Sequence, residues 1–506
     1  MIQQSPYKHL LGILFVSAAG PGMVVFCVQV LSPGLPQVAD DLGASLSQTQ
    51  WVLIVFGLVM SALVPICGRL NDIFDRKSIF VAGLVFFTVG SFLGALGISV
   101  EFLIFARFVQ GIGAASLMAT GFAIVIEVFP IERRPAALGV VVGMIGVGVT
   151  FALITGGFLI THVGWQATFL TTGALGLVHL AAALLVLPPG LKSERREPID
   201  WLGALMLSAC LVAFLLAITK GYEWGWSSAT VLGLLIGSGV LLVAFVLVEL
   251  RIPRPLIDLS LFSDRMLSLN YVATLAGFFP VGGFYILIPY YLQGPRGFTA
   301  QETGFMMLPF PLGNMTAAML TGRFTSRFGS PLLSALGLTL LAIGFCLMAL
   351  IGEGTSVPDI AWRIYVAGLG IGFYQTANSN IIVDRVPPER RGSASGLVNV
   401  GQQVGINTGV GIAGTVLGTI VTRKFPELGS ASVTPGHFHR FANDPESLLR
   451  LRHAFMAGME GAFFVVTAGA ALGLAFTLLS FVRRRSEEAE PAVSFGELAP
   501  SAREDG

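Results

Sequence analysis

GRLNDIFD at residues 68–75 returns as GRFTSRFG at 322–329, and ERRPAALG at 132–139 returns as ERRGSASG at 389–396. Between them, GIG at 111–113 is answered by GLG at 368–370. The offsets are 254, 257 and 257 residues, and the order is the same in both copies. Three echoes with nearly one offset mark an internal repeat, so the fold of the second half is a copy of the first.

The chain around these strings is apolar. Of its 506 residues 54% are hydrophobic and only 12% are charged, with a mean hydropathy of +0.79. A soluble domain carries about 25% charged residues, so this chain has half the charge needed to coat a soluble surface. The 30 basic and 29 acidic residues balance to +1, which leaves no basic footprint and excludes nucleic acid as a partner. A polytopic membrane protein remains, with the lipid bilayer as its surroundings. The 62 glycines suit helices packed backbone to backbone. Cys27, Cys67, Cys210 and Cys346 fall within apolar runs without metal-ligand spacing and read as small buried hydrophobes. In the 422–455 segment, His437, His439, His453 and Asp444 raise the thought of a metal, but His-x-His alone does not make a site, and neither metal nor cofactor is expected.

A span needs about 20 apolar residues. Fourteen such runs occur, near 10–31, 50–68, 79–98, 102–126, 137–160, 168–187, 201–219, 229–248, 269–291, 303–321, 331–351, 361–383, 394–421 and 457–481. The first follows Lys8 and His9 and is too long for a signal-peptide core, so it reads as an uncleaved helix. With the N-terminus cytoplasmic, 21 Lys and Arg fall in cytoplasmic segments, 8 in outer segments, and Arg107 within a helix. The positive-inside rule therefore places both termini in the cytoplasm. Both copies of the repeated strings fall on that same side, so the repeat is parallel, about an axis along the membrane normal. The expected architecture is all-α: a six-helix bundle at 1–190, an inserted helix pair at 191–250, a second six-helix bundle at 251–485, and a disordered acidic tail at 486–506.

Within the spans, polar residues are few and conspicuous. Arg107 lies about five residues inside the fourth span, and an intramembrane arginine is a functional candidate by default. Glu127, near the cytoplasmic end of the same span, needs a cation, and Arg76 ends on the same side. His179 is the only central group that titrates near neutral pH. No Asp or Glu occupies the middle third of any span. Asn399, Gln403 and Asn407 recur every four residues and share one helix face. Gln375 and Asn378, Asn314, Gln29, Gln110, Phe278 and Tyr285 complete a candidate cavity of amides and aromatics, suited to a lipophilic ligand held by a few polar contacts. Interhelical hydrogen bonding is the alternative use of the same amides.

Four strings carry a resemblance: GRLNDIFDRK after the second span, RFVQGIGAA in the fourth, IDWLG opening the seventh, and VELRIPRPLIDLSLF between the eighth and ninth. Together with the repeat, the chain resembles the major facilitator superfamily, and its inserted pair resembles the fourteen-helix drug:proton antiporter branch. The resemblance implies a bacterial inner-membrane secondary transporter, not an enzyme, exporting lipophilic or amphiphilic molecules by alternating access in exchange for protons. It implies a gating latch of Gly68, Asp72, Arg76 and Lys77, joined by Glu127, and a proton-linked role for Arg107, with Glu127 and His179 as the titrating candidates. The resemblance leaves a periplasmic adaptor open as a further partner. The chain departs from the branch at three places: Asp75 where glycine is usual, Ala152-Leu153 in place of a Gly-Pro step in the fifth span, and Cys27, beside Gln29, in place of an aspartate in the first. The last two leave open a facilitator or symporter of the same fold without proton antiport.

Overall fold

The computed structural model describes residues 6–130, 132–189, 200–252, 259–386, 391–428 and 435–489. The side chains of Asp72 and His439 and the tail at 490–506 lie outside the described residues. Among these residues the chain is helical, in the order α1 (Pro6–Leu31), α2 (Leu35–Leu42), α3 (Leu46–Ile73), α4 (Arg76–Ala95), α5 (Val100–Val128), α6 (Arg134–His162), α7 (Gln166–Val186), α8 (Trp201–Trp224) and α9 (Ala229–Glu249). There follow α10 (Arg265–Gln293), α11 (Ala300–Met307), α12 (Pro309–Phe328), α13 (Ser330–Ala349), α14 (Val357–Arg385), α15 (Arg391–Lys424), α16 (Pro435–Arg440) and α17 (Pro445–Ala489). Helices satisfy every backbone group within the segment, as hydrocarbon demands. At two helix starts Ser45 with Gln48, and Thr299 with Glu302, form capping boxes.

Among the described residues twelve helices are long and apolar enough to cross a membrane, against the fourteen spans expected. The two others are helical where spans were expected, yet more polar. The 303–321 run is split at Leu308 into α11 and α12, where Pro309 brings no backbone N–H. Helix α14 carries Asp359, Arg363, Asp384 and Arg385 besides its amides. The last helix starts at Pro445, twelve residues before the expected span, and takes in part of the 422–455 loop. The loop at 74–75 also differs from expectation. Asp75 is the N-cap of α4 at φ −63°, accepting from the Ser78 N–H. Its backbone is extended, so no glycine is required there.

The repeat is visible in the packing. Gly113 of α5 lies so close to the Phe87 backbone of α4 that a Cβ would fall under 3.0 Å from it, and Gly370 of α14 meets Leu341 of α13 in the same way. These glycines belong to the paired GIG and GLG strings. Helix α1 packs on α5, α6 and α7, α3 on α5, and α4 on α5 and α7. In the second half α10 packs on α15 and α17, α13 on α14 and α17, and α12 on α14. Helices α8 and α9 pair with each other, and α8 lies against both α3 and α15.

The turns at 74–75 and 132–133 lie on one end of the helices, here the basic face; those at 96–99, 163–165 and 294–299 lie on the opposite face. The two halves meet in the part of the seam next to the opposite face. Ser32 Oγ donates to the Tyr285 carbonyl at 3.3 Å, the Gln301 N–H donates to Thr161 Oγ1 at 2.9 Å, and Gln293 reaches the Pro33 carbonyl. Gly157 of α6 and Gly304 of α11 cross backbone to backbone. On α3, Gly57 abuts Asn407, and one turn on Met60 Sδ receives the Gln403 amide at 3.8 Å. Followed toward the basic face, the same helix sides part: a Cβ on Gly68 or Gly139 would meet nothing within 4 Å. In this arrangement Gly68 faces open space rather than a neighbouring helix. The glycines of α6 divide likewise. Gly148, Gly156 and Gly157 pack on backbone, whereas Gly139 and Gly143 face open space.

Candidate functional site

Three groups of the expected residues emerge. The first is at the basic face. Arg76 Nη1 donates to Glu127 Oε2 at 2.7 Å, with Glu127 almost half exposed. Lys77 turns away from that pair and caps α7, donating to the carbonyls of Leu184 and Leu187 at 2.8 and 2.6 Å.

The second is inside the first half. Arg107 is 1% exposed. Its Nη1 donates to Gln110 Oε1 at 2.9 Å and lies 3.2 Å from Cys27 Sγ. The guanidinium carbon stands 4.9 Å from the Phe169 ring centre and 5.5 Å from that of Phe56. Gln110 in turn donates to Ser91 Oγ at 2.7 Å. Gln110 is thus fully buried and holds Arg107, so it does not line a cavity as expected. Cys27 is likewise more than a small hydrophobe, since its sulfur is a contact of the buried cation. Near the basic end of this half, His179 Nε2 donates to the Val16 carbonyl at 2.8 Å and its ring meets Phe80 edge-on.

The third group lines the seam. Gln29 lies beside the Tyr285 hydroxyl. Gln403 and Asn407 face α3, while Asn314 and Gln375 are half-buried and Asn399 is exposed nearer the basic face. Asn378 instead donates within the second half, to Thr274 Oγ1 at 2.9 Å, and Phe278 packs against Tyr374 with ring centres 6.3 Å apart. Tyr374, Thr274 and Met60 are participants that the sequence did not single out. The tyrosine precedes Gln375 and was legible, whereas Thr274 and Met60 have no pattern to betray them.

A separate contact closes the opposite face. The Gly436 N–H of α16 donates to Asp40 Oδ2 of α2 at 2.8 Å, and Phe438 is buried against Phe455. His437 sits next to this contact, and among the described residues no group of His, Cys, Asp and Glu gathers there to hold a metal. Burial, and then the Arg440 charge, push its pKa below the ordinary 6.5, with Asp40 opposing. Protonation therefore disfavours this closed arrangement. Its contribution is whole above about pH 6.5 and is lost as the pH falls from there toward the lowered value. Spin-label distances between α2 and α16 should broaden on acidification in the wild type and stay constant in His437→Gln.

The sequence profile of the Major Facilitator Superfamily matches residues 17–410. The chain is 32% identical over 424 residues to the probable actinorhodin transporter of Streptomyces coelicolor, covering 81% of this chain and 73% of that one. It is 27% identical over 509 residues to the tetracenomycin C resistance and export protein of Streptomyces glaucescens, covering 96% and 93%. Among solved structures, a bacterial homolog of the human lysosomal transporter Spinster, inward-facing and unoccupied, superposes with a TM-score of 0.69 at 16% identity over 97% of this chain and 100% of that one. Helices of spanning length, an internal repeat and a profile match across most of the chain converge, and the chain belongs to the Major Facilitator Superfamily, a transporter rather than an enzyme.

Proposed function

We propose that this transporter exports neutral or anionic lipophilic small molecules by alternating access in exchange for protons, as a fourteen-helix member of the superfamily in a bacterial inner membrane. The observation that carries the reading is the seam: joined next to the opposite face, parted toward the basic face, with Gln29, Tyr285, Gln403 and Asn407 along it. On this reading the basic face is cytoplasmic, the bundles 1–190 and 251–485 rock about the seam, and 191–250 is the inserted pair. The Arg76–Glu127 pair serves, with Gly68, Asp72 and Lys77, as the latch at the cytoplasmic face, Lys77 through its hold on the end of α7. The relative named as a tetracenomycin C resistance and export protein supports an export direction.

Charge preference follows from desolvation. A buried cation without a counter-ion is costly, and no carboxylate occupies the middle third of any span. In proteoliposomes with and without a pH gradient, actinorhodin, tetracenomycin C and a permanent dication are the test probes. The first two should accumulate only with the gradient and the dication should not move. Accumulation of a neutral probe to equilibrium alone, gradient or none, would instead favour a facilitator, the reading suggested by the missing acid in α1.

Tags at the two termini should be protected together in right-side-out vesicles, and a tag in 422–455 should be open to protease. Termini on opposite faces would refute the fourteen-helix topology.

A further inference from the structure

The seam between α3 and α15 is a ladder. Outward from the basic face, Met60 meets Gln403, Gly57 meets Asn407, Ile54 meets Gly411 and, as the last rung before the opposite face, Gln50 meets Gly414. Gln50 is 0% exposed, and among the described residues neither its Nε2 nor its Oε1 has a hydrogen-bond partner. A Cβ on Gly414 would collide with Nε2, so the α15 backbone lies directly on the amide. Ser47 Oγ, one turn nearer the opposite face, is also buried and unpaired. The hydroxyls around them are engaged elsewhere. Thr49 donates to the Ser45 carbonyl at 3.0 Å. Thr219 of α8 accepts the Trp51 N–H and donates to the Leu215 carbonyl at 2.8 Å, and Thr415 of α15 donates to the Ile218 carbonyl. Shutting the seam therefore strips water from a primary amide and returns no protein partner, a cost that an apolar residue of the same shape would not carry.

We infer that Gln50 is a positioning residue of the transport cycle, whose unpaired amide keeps the shut seam close to parting. It works against the hydrogen bonds by which α8 ties α3 to α15. The inference rests on halves that part at the opposite face, as in the alternating-access reading above, and on neither the substrate nor the coupling ion. When the halves part, water reaches Gln50 and Ser47 and pairs with both, so parting recovers what shutting lost. The charged and titratable groups around this rung stand apart from the amide. Lys220 and Glu223 of α8 pair with each other, Glu101 of α5 accepts from Gln48, the Tyr290 hydroxyl of α10 lies by Thr49, and Asp40 of α2 acts on Tyr290.

Ser32→Cys reports the parting. Residue 32 is 1% exposed in the shut seam, and its rate of reaction with a hydrophilic maleimide follows the parted fraction. The rate is measured on the detergent-purified full-length protein, after subtracting that of the protein with Ser32 retained. Gln50→Met keeps the length of the side chain and removes both polar atoms. It should slow the reaction by about fivefold or more, the ratio that one unpaired buried polar group represents. Gln50→Glu should act in the opposite sense, and with pH. The neutral acid has the shape of glutamine, whereas the carboxylate is far costlier to bury. Its rate, divided by that of the Gln50 protein at the same pH, should climb by about fivefold or more between about pH 5 and about pH 8. An unchanged or faster reaction in Gln50→Met at the wild-type melting temperature overturns the inference alone. A ratio flat with pH in Gln50→Glu does so too, and decides the matter if the methionine variant misfolds. A Ser32→Cys thiol that stays unreacted in every folded variant, yet reacts in urea, overturns the alternating-access reading and this inference with it.

Discussion

Gly304→Val is expected to pry the halves apart at the opposite face and to cut transport by at least tenfold. Gly304 of α11 lies against the Leu153 carbonyl and Gly157 of α6, and a Cβ there would stand under 3.0 Å from backbone. Backbone in a packed helix cannot swing aside as a flexible side chain can, so the clash is relieved by separating α11 from α6. Overpacking of this kind costs about 1–3 kcal/mol, and 2 kcal/mol changes a two-state ratio by roughly thirtyfold. The cost falls only on the arrangement in which the seam is shut next to the opposite face. Reagents reaching cysteines placed there should therefore react faster in the variant, while its melting temperature stays near that of the wild type. Gly282→Val is the control. Gly282 packs on the Ile406 backbone within the second half, so its replacement should lower the melting temperature instead. Unchanged reactivity and transport in Gly304→Val would mean that the two halves do not work against each other at this crossing.

The second large effect is expected at Arg107. Its fork contacts Gln110, the Cys27 sulfur and two aromatic rings at once. Lysine offers a point charge without the planar fork and cannot reproduce that set. Methionine removes a buried charge that lacks a carboxylate, a change that is often neutral or stabilising. The two substitutions should therefore separate folding from function. Arg107→Met should keep or raise the melting temperature and Arg107→Lys should lower it. Both should lose gradient-driven accumulation by roughly 10–100-fold, the loss that one hydrogen bond to a charged group represents at about 1.5–3 kcal/mol. Full transport in Arg107→Met would reduce the residue to a packing element.

Much of this fold was legible because apolar runs and repeated strings are local signals. The paired GIG and GLG glycines announced the helix crossings at Gly113 and Gly370, since a Cβ fits at neither. The Arg76–Glu127 pairing was legible for a similar reason: an acid at a helix end needs a cation ending on the same side. Other features were not. Whether Gly68 and Gly139 pack or face open space depends on how far the halves have parted, which no helix pattern encodes. Gln110 was read as lining a cavity because an amide in a span must meet something polar. Its partners, Ser91 and Arg107, lie on another helix and one turn away. The break at Leu308 was readable from Pro309 and Pro311, yet the apolar run across it masked the prolines. The hold of α16 on Asp40 joins residues 396 apart in the chain and left no trace in either segment.

Helix α8 makes the two flanks of the repeated arrangement unequal. Trp51 Nε1 of α3 donates to Thr219 Oγ1 of α8 at 2.9 Å, and Thr415 Oγ1 of α15 donates to the Ile218 carbonyl of α8 at 3.1 Å. The same helix thus grips both halves along one flank of the molecule. A parallel repeat creates two such flanks, and the other, between α6 and α12, has no helix laid across it among the described residues. There Met315 and Met319 are exposed, at 46% and 75%, and a Cβ on Gly143 or Gly322 would meet nothing within 4 Å. One flank is thus left open and lined by pliable thioethers, while the other is bridged by α8.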